Sequence, residues 1–232
     1  DGLVVKTGWQ TIDGKKYYYK EDGTQATYWY KVDGNYYWFG TDGILKTYWQ
    51  KVYNKYYWLG SDGAMRTGWQ TIYGKKYYLG NANDGAMKTG WQTVDGKKYY
   101  LGNASDGAMK TGWQTIDGKK YYLGNDGAMK TYWQSVDGKY YWFGTDGVMK
   151  TYWQKVYNKY YWLGSDGAMR TGWQKVYGKY YWLGHSNDGA MKTGWQTIYG
   201  KKYYFGGAND GVMKTGWQKI GGNWYYFGGA ND

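Results

Sequence analysis

Aromatic residues recur along this chain at spacings that indicate ligand binding. In the stretch TYWQSVDGKYYWFG, residues 131–144, Trp133 is followed seven residues later by Tyr140 and nine residues later by Trp142. Flat aromatic faces attract cations and stack on other flat or apolar groups. In other copies of this stretch the last two positions hold Lys and Tyr, which can donate hydrogen bonds to hydroxyl groups. We therefore interpret Trp133, Tyr140 and Trp142, and the equivalent residues of several other copies, as candidate binding residues.

The leading tryptophans, which we call anchor tryptophans, define eleven repeats that we number in chain order. Their spacings are 20, 20, 20, 22 and 22 residues, and this series occurs twice. Five repeats sum to 104 residues, and residues 48–70 recur unchanged at 152–174. We predict a single repeat domain over 1–232, with eleven units of 20–22 residues and a duplicated 104-residue block. The anchors are Trp9, Trp29, Trp49, Trp69, Trp91, Trp113, Trp133, Trp153, Trp173, Trp195 and Trp217.

Each repeat has the pattern of a β-hairpin. In repeat 1 the run GWQTI is followed by Asp13 and Gly14 and then by the run KKYYY. An Asp-Gly pair between two such runs predicts a two-residue turn with positive φ at both positions. The turn fixes the register, so that the anchor and the residues two, seven and nine positions after it share one face. The opposite face carries a Val or Ile, a Tyr such as Tyr121 or Tyr141, and a Leu or Phe, and we predict that it forms the interior.

Ten of the eleven repeats are of two kinds, which differ at the seventh position after the anchor, and repeat 11 is a third variety. Repeats 1, 4, 5, 6 and 10, the lysine repeats, have Lys there and Tyr two residues later. Repeats 2, 3, 7, 8 and 9, the aromatic repeats, have Tyr and then Trp, and repeat 11 has Trp224. The residue predicted to lie opposite is Thr in every lysine repeat, and Lys or Ser135 in the others. Lysine never faces lysine, which fits the cost of opposing like charges and the attraction of lysine for an aromatic ring.

Composition and instability of single hairpins together predict the fold class. The chain has 17 Trp and 33 Tyr but only 4 Phe, and no Pro or Cys. Aliphatic residues are scarce, so we expect aromatic rings to supply most of the buried apolar area. An isolated hairpin is marginal in water and each needs its neighbours. We predict an all-β solenoid of eleven stacked β-hairpins, forming an elongated rod or superhelix.

Several function classes are disfavoured. The net charge of +12, from 30 Lys and Arg against 18 Asp and Glu, favours binding of polyanions. The chain has no dense basic run, which argues against nucleic acid as the partner. No apolar run is long enough for membrane insertion, and no signal peptide is recognisable, so we expect a piece of a longer protein. Most aspartates occupy repeated turns, and His185 is the single histidine. We therefore predict no enzyme activity, no cofactor and no metal site.

At these residues the chain resembles the cell-wall-binding or choline-binding repeats of Gram-positive surface proteins and phage lysins. This superfamily is related to the glucan-binding repeats of glucansucrases and to the repetitive domains of clostridial toxins. The shared signature is roughly GW, a strand similar to WYYL seven residues after the Trp, and then GxM, and the resemblance spans all eleven repeats. The resemblance implies a secreted, cell-surface module that binds a cell-wall polymer, through choline on teichoic acid, or a glycan such as α-glucan.

The resemblance also implies site residues. In the choline-binding branch, two tryptophans of one hairpin and a second-strand aromatic of the next form a cage, with the GxM methionine alongside. Only Trp217 with Trp224 reproduces the tryptophan pair. A lysine inside such a cage would repel a cation. The lysine repeats look more like the glucan-binding branch, whose sugar-binding set matches Trp113, Gln114, Thr115, Lys120 and Tyr122, although the register puts the glutamine on the other face.

These arguments give a set of candidate ligand-binding residues and two alternative functions. One alternative is a structural spacer or a surface fibre that forms by self-association, and the other is a toxin-like tail that binds host glycans. The methionines either line the ligand or fill gaps between hairpins. The candidates are Trp29, Tyr36, Trp38, Trp49, Tyr56, Trp58, Trp113, Lys120, Tyr122, Trp133, Tyr140, Trp142, Met149, Trp153, Tyr160, Trp162, Met169, Trp173, Tyr180, Trp182, Trp217 and Trp224.

Overall fold

The computed structural model describes residues 6–229, and within them the fold is all-β, as predicted. Every repeat forms one two-stranded antiparallel sheet, so that 22 strands make eleven hairpins. None of the described residues belongs to a helix that is long and apolar enough to cross a membrane. The strands are β1 Gly8–Ile12, β2 Lys15–Tyr19, β3 Tyr28–Val32, β4 Asn35–Phe39, β5 Tyr48–Val52, β6 Lys55–Leu59, β7 Trp69–Ile72, β8 Lys75–Tyr78, β9 Trp91–Val94, β10 Lys97–Tyr100, β11 Gly112–Ile116, β12 Lys119–Leu123, β13 Tyr132–Val136, β14 Lys139–Phe143, β15 Tyr152–Val156, β16 Lys159–Leu163, β17 Trp173–Val176, β18 Lys179–Trp182, β19 Gly194–Ile198, β20 Lys201–Phe205, β21 Gly216–Ile220 and β22 Asn223–Phe227.

The register within the hairpins is the predicted one. In repeat 8, Trp153 lies opposite Trp162 and Lys155 lies opposite Tyr160. The turn residues have positive φ, 49° at Asp13 and 73° at Gly14, as the two-residue turn requires. The predicted cation–π pairs also form, because the Lys155 Nζ lies 5.4 Å from the centroid of the Tyr160 ring. The turn chemistry of the sequence was therefore sufficient to fix the pairing.

The interior is smaller and more aliphatic than the composition indicates. In repeat 3, Val52 and Tyr57 are buried and Leu59 is fully buried, which confirms the predicted interior face. The largest fully buried side chains are three phenylalanines and six leucines at the position of Leu59. Anchor tryptophans and interior tyrosines pack around this aliphatic centre, as Trp29 does against Tyr57. The rings thus surround the core of each hairpin and only partly form it.

The loop that follows a hairpin forms backbone hydrogen bonds with the hairpin of the repeat before it. The backbone N–H of Met65, in the loop after repeat 3, donates to the carbonyl oxygen of Tyr36 in repeat 2 at 2.8 Å. Ala64 in the same loop forms a β-bridge with Tyr37. Equivalent bonds recur down the chain, for example from Met169 to Tyr140. The loop of each of these repeats therefore lies against the second strand of the repeat before it.

The described contacts divide the chain into two compact units. The first is Asp1–Gly112 with Leu123–Met129, and the second is Trp113–Tyr122 with Lys130–Asp232. In each unit an anchor tryptophan packs edge-on against the interior tyrosine of the next hairpin. The ring centroids are 4.9 Å apart for Trp29 and Tyr57 in the first unit and 5.0 Å apart for Trp133 and Tyr161 in the second. The continuous single domain stays a prediction.

Candidate ligand clefts between successive hairpins

The cleft of repeat 7 shows how three repeats build one site. The indole of its anchor and the ring of Tyr161 from the next hairpin meet at 68°, with centroids 5.0 Å apart. Tyr140 on β14 forms a further wall, and Met169 comes from the loop after repeat 8. The volume is about 210 Å³, and the cleft is lined by Trp133, Tyr140, Tyr161, Met169, Asn187 and Asp188.

The same cleft recurs in repeats 2 and 3, in the first compact unit. We call its common part the aromatic cage: the anchor, the seventh-position Tyr, the interior Tyr of the next repeat and the following Met. The volumes are about 300 Å³ in repeat 2 and about 200 Å³ in repeat 3. The first is lined by Trp29, Tyr36, Tyr57, Met65, Asn83 and Asp84, and the second by Trp49, Tyr56, Tyr77, Met87, Ser105 and Asp106.

A polar lip on these cages comes from the longer repeats. The spacing of 22 residues follows anchors 4, 5, 9 and 10, so the loops of those repeats are two residues longer than the others. They supply Asn83, Ser105 and Asn187 to the cages of repeats 2, 3 and 7. In repeat 8 the hydroxyl of Tyr160 donates to Oδ1 of Asn209 at 3.2 Å, so the long loop of repeat 10 lies against that cage as well. We call these four loops the lip loops.

The surroundings of the lip favour the neutral form of Tyr57 and the charged form of Asp106. Burial, and secondarily the Asp84 carboxylate, raises the pKa of Tyr57 above its ordinary 10.0. A hydrogen bond from Lys110 is the main reason that the pKa of Asp106 lies below its ordinary 3.8. The cage therefore offers neutral aromatic faces, which attract an organic cation, beside a carboxylate that is ion-paired with the lysine four residues later.

The lysine repeats fill the corresponding position from within the chain. In each of four of them the lysine ammonium lies over its own anchor indole, with Nζ at 4.9 to 5.1 Å from the ring centroid. A cation already placed on that indole opposes a second one. The pairs are Lys16 with Trp9, Lys76 with Trp69, Lys98 with Trp91 and Lys120 with Trp113.

The remaining candidates lie apart from the three clefts. Trp142 contacts its anchor, with ring centroids 5.4 Å apart, but is not among the residues that line the cleft of repeat 7. Trp38 and Trp58 behave in the same way in repeats 2 and 3. Trp182 is only 3% exposed, whereas Trp217 and Trp224 are 65% and 63% exposed.

Other candidates follow their repeat type. Trp153 and Tyr160 belong to the cage of repeat 8, and Trp173 packs edge-on against Tyr203 of the next repeat, as cage anchors do. The Nζ of Lys175 lies over the ring of Tyr180, 5.2 Å from its centroid. In repeat 6, Tyr122 packs on its anchor with centroids 5.1 Å apart. Met149 donates its backbone N–H to the carbonyl of Lys120, which places it beside that lysine position.

Sequence reasoning placed the interior tyrosines in the core and missed their second role. Tyr57, Tyr77 and Tyr161 are largely buried and also line the cages. The resemblance already indicated an aromatic from the following hairpin. The lip residues were also missed, although the 22-residue spacings marked where two additional residues enter the loop.

A lysine repeat provides a different, larger cleft near the end of the described chain. It has a volume of about 580 Å³ and is lined by Trp195, Gln196, Thr197, Lys202, Tyr225, Tyr226 and Phe227. Four of these are the repeat 10 equivalents of the predicted sugar-binding set. Glutamine lies with the anchor despite its position in the register, while its Nε2 donates to the carbonyl of Thr193 at 2.9 Å.

Comparison with known proteins decides the family. A family model described as "Choline-binding repeat" matches residues 6–47, 88–132, 110–151 and 192–232. The chain belongs to the choline-binding repeat family. A related model of cell wall binding repeats matches residues 47–65, 67–87 and 151–169. A comparison with curated proteins gave no match.

Three solved proteins of Streptococcus pneumoniae are similar to this chain over nearly its whole length. CbpJ is 30% identical, with a TM-score of 0.69, over 95% of this chain and 92% of its own. Choline binding protein F, solved in the presence of a peptidoglycan analogue, is 34% identical, with a TM-score of 0.65, over 94% and 90%. The modular autolysin LytC is 27% identical, with a TM-score of 0.60, over 95% of this chain but 51% of its own.

Proposed function

We propose that this chain is a non-catalytic module that attaches its parent protein to a bacterial cell-wall polymer by enclosing the polymer's choline groups in the aromatic cages. The observation that carries the proposal is the cleft of repeat 7, where three aromatic rings and a methionine converge beside a carboxylate. Here Ser135 lies opposite Tyr140, where other aromatic repeats have lysine. A quaternary ammonium in this cleft gains cation–π attraction of about 0.5–2 kcal/mol per favourable ring without needing a hydrogen bond.

Family membership and the repetition of the cage support the same function. Weak sites that engage one polymer together can raise the overall affinity by roughly 10²–10⁴. We place the module at the bacterial surface, where the polymer is found. In this proposal the module only attaches the parent protein to the polymer, and any catalytic activity belongs to other parts of that protein.

Choline titration with the chain's own sequence alternatives tests the proposal. We expect wild type to bind choline, with a change in tryptophan fluorescence. Tyr140→Lys converts repeat 7 into a lysine repeat, so calorimetry should show one choline site fewer. Trp142→Tyr serves as the control, because lysine repeats also have Tyr at this position and Trp142 does not line the cage. This variant should keep the wild-type stoichiometry. Absence of choline binding by wild type would refute the proposal.

The cleft of repeat 10 supports a second candidate, binding of a neutral glycan. Gln196, Thr197 and Lys202 offer hydrogen-bond donors beside the anchor indole, and the cleft is large enough for a sugar ring. Binding of α-glucan that persists in saturating choline and is lost in Lys202→Ala would establish it. Complete competition between choline and glucan would contradict a separate site.

A further inference from the structure

A second aromatic cluster adjoins each cage and consists of residues that the cage does not use. In repeat 7, Tyr132 precedes the anchor and packs on Trp142, with ring centroids 5.7 Å apart. Tyr157, in the turn of repeat 8, packs edge-on against the same indole at 6.0 Å. We call such a trio a tyrosine platform. It consists of the residue before the anchor, the Trp nine positions after the anchor (the tenth position when the anchor is counted as the first), and the first turn residue of the next repeat.

Three separate sequence positions change together to build the platform. Turn tyrosines occur in repeats 3, 4, 8, 9 and 10, and each of these follows a repeat with Trp at the tenth position. Where the preceding repeat has Tyr there, the turn residue is Asp or Gly. Tyrosine replaces glycine before the anchor only in repeats 2, 3, 7 and 8. Four complete platforms therefore lie in repeats 2, 3, 7 and 8, and repeat 9 has Tyr199 and His185 around Trp182.

The backbone at both tyrosines is unusual for so large a side chain. Tyr132 has a φ of 63° and Tyr157 a φ of 46°, in the left-handed region that Gly, Asn and Asp prefer. Other repeats satisfy the same two positions with glycine or aspartate. Burial does not explain the choice, because Tyr157 is 77% exposed and Tyr132 is 49% exposed. Unfavourable backbone conformations that stability does not explain mark functional sites.

The chemistry of the platform fits a sugar ring. Its exposed groups are flat aromatic faces and phenol hydroxyls, which can stack on the C–H face of a sugar and hydrogen-bond to its hydroxyls. The trio contains no aliphatic side chain, and its turn position holds tyrosine where other repeats have a carboxylate. An apolar protein segment would find no aliphatic surface to pack on, and a basic peptide would find no carboxylate in the trio to pair with.

The position of the platform beside the cage indicates which polymer supplies the sugar. Trp133 is part of the cage and contacts Trp142 of the platform, with ring centroids 5.4 Å apart. A cation in the cage and a group stacked on the platform would thus be neighbours. Resting on the proposed choline function, we propose that the tyrosine platforms bind the sugar units of the same polymer whose choline groups enter the cages.

Glycine and asparagine substitutions test the platforms while keeping the backbone conformation. The full variant changes the tyrosine before the anchor to Gly and the turn tyrosine to Asn in all four complete platforms. We expect free choline to bind as in wild type, and the affinity for choline-bearing teichoic acid to fall by about tenfold or more, because several engaged sites act together. Unchanged polymer affinity in a folded variant would overturn the proposal.

A smaller variant and a matched control cover a failure of folding. Tyr132→Gly, Tyr152→Gly, Tyr157→Asn and Tyr177→Asn remove two platforms, and a loss of about two- to threefold is expected. Asparagine at the turn aspartates of repeats 1, 5 and 6 makes the same kind of change away from the platforms and should leave polymer binding unchanged.

The outcomes separate this proposal from the choline function. If wild type binds no choline, the choline function fails, and the platform is judged on teichoic acid stripped of choline. Retained binding that the smaller variant loses then supports the platform, and no difference between the two proteins refutes it.

Discussion

Under the proposed choline function, the seventh residue after the anchor distinguishes the aromatic cages from repeats in which a lysine ammonium lies over the anchor indole. In repeat 6 the Lys120 ammonium lies over Trp113, whereas aromatic repeats leave this place to a tyrosine ring. Tyr141 and Met149 would complete a cage there, as their equivalents do in repeat 7. We expect Lys120→Tyr to add one choline site, because the internal cation is replaced by a third ring.

Calorimetric stoichiometry checks this gain. Lys119→Tyr adds the same ring at the exposed neighbouring position and should leave the number of sites unchanged. An unchanged stoichiometry in Lys120→Tyr, with the protein folded, would show that the lysine is not what closes the site.

The glycines with positive φ in the connecting loops and in the hairpin turns have different roles, which substitution can separate. Gly167 has a φ of 82°, and a Cβ there would overlap the side chain of Met149. Gly138, in a hairpin turn, has a φ of 75° but open space around it. Gly138→Ala should therefore cost about 1–2 kcal/mol of stability for the backbone alone. Gly167→Ala should cost about 1–3 kcal/mol more, because the methionine must move.

Thermal unfolding of the two variants measures the difference. Equal losses of stability would mean that Met149 moves aside freely. The methionines would then not be the gap-fillers between successive loops that this contact indicates.

At the scale of the hairpin and its loop, the two-residue insertions act at a distance. Asn187 belongs to the loop after repeat 9 but lines the cage of repeat 7. Deleting Ser186 and Asn187 restores the shorter loop of the other repeats and keeps His185 against Trp182. We expect choline affinity at that cage to fall by roughly three- to tenfold, the effect of about one lost hydrogen bond between the lip and the choline hydroxyl.

The reverse change serves as the control for the loop. Inserting two residues between Ser165 and Asp166 lengthens the loop after repeat 8, which follows the lysine repeat 6 by the same offset. Choline binding should not respond, because Lys120 occupies the anchor indole of repeat 6. Equal effects of the deletion and the insertion would indicate a general loss of packing.

The hairpins could be predicted from the sequence, and the resemblance indicated which kinds of residue form a cage, but the geometry of the cages could not be predicted. Asp-Gly turns and alternating faces fix which residues pair within a hairpin, so the register and the buried Val, Tyr and Leu face followed directly. The contact of Trp133 with Tyr161 joins residues in different hairpins, and its geometry depends on how hairpins stack. The lysine over its own anchor is a diagonal contact across the sheet, whereas the prediction considered only directly opposed residues.

For the whole molecule, the interior tyrosines couple the fold to pH. Burial raises the pKa of Tyr57, Tyr77, Tyr121, Tyr141, Tyr161 and Tyr181 above the ordinary 10.0, and a nearby aspartate adds to each shift. A phenol with a higher pKa in the folded state holds its proton after the unfolded chain has lost it. The stabilisation is therefore complete below pH 10 and is lost as the pH rises through the folded-state values.

Thermal unfolding between about pH 8 and about pH 11 should show this loss as a falling melting temperature above pH 10. The aspartates affect stability at the acid end of the pH range. Because the pKa of Asp106 and of Asp166 is lowered in the folded chain, the stability they contribute is lost only as the pH falls below the ordinary 3.8. Tyr161→Phe keeps the ring of the cage but removes one titrating phenol, so its alkaline decline should be shallower while choline still binds. A melting temperature that stays level to pH 11 would mean that the phenols ionise within the folded chain, and that the interior tyrosines are open to solvent at the cages.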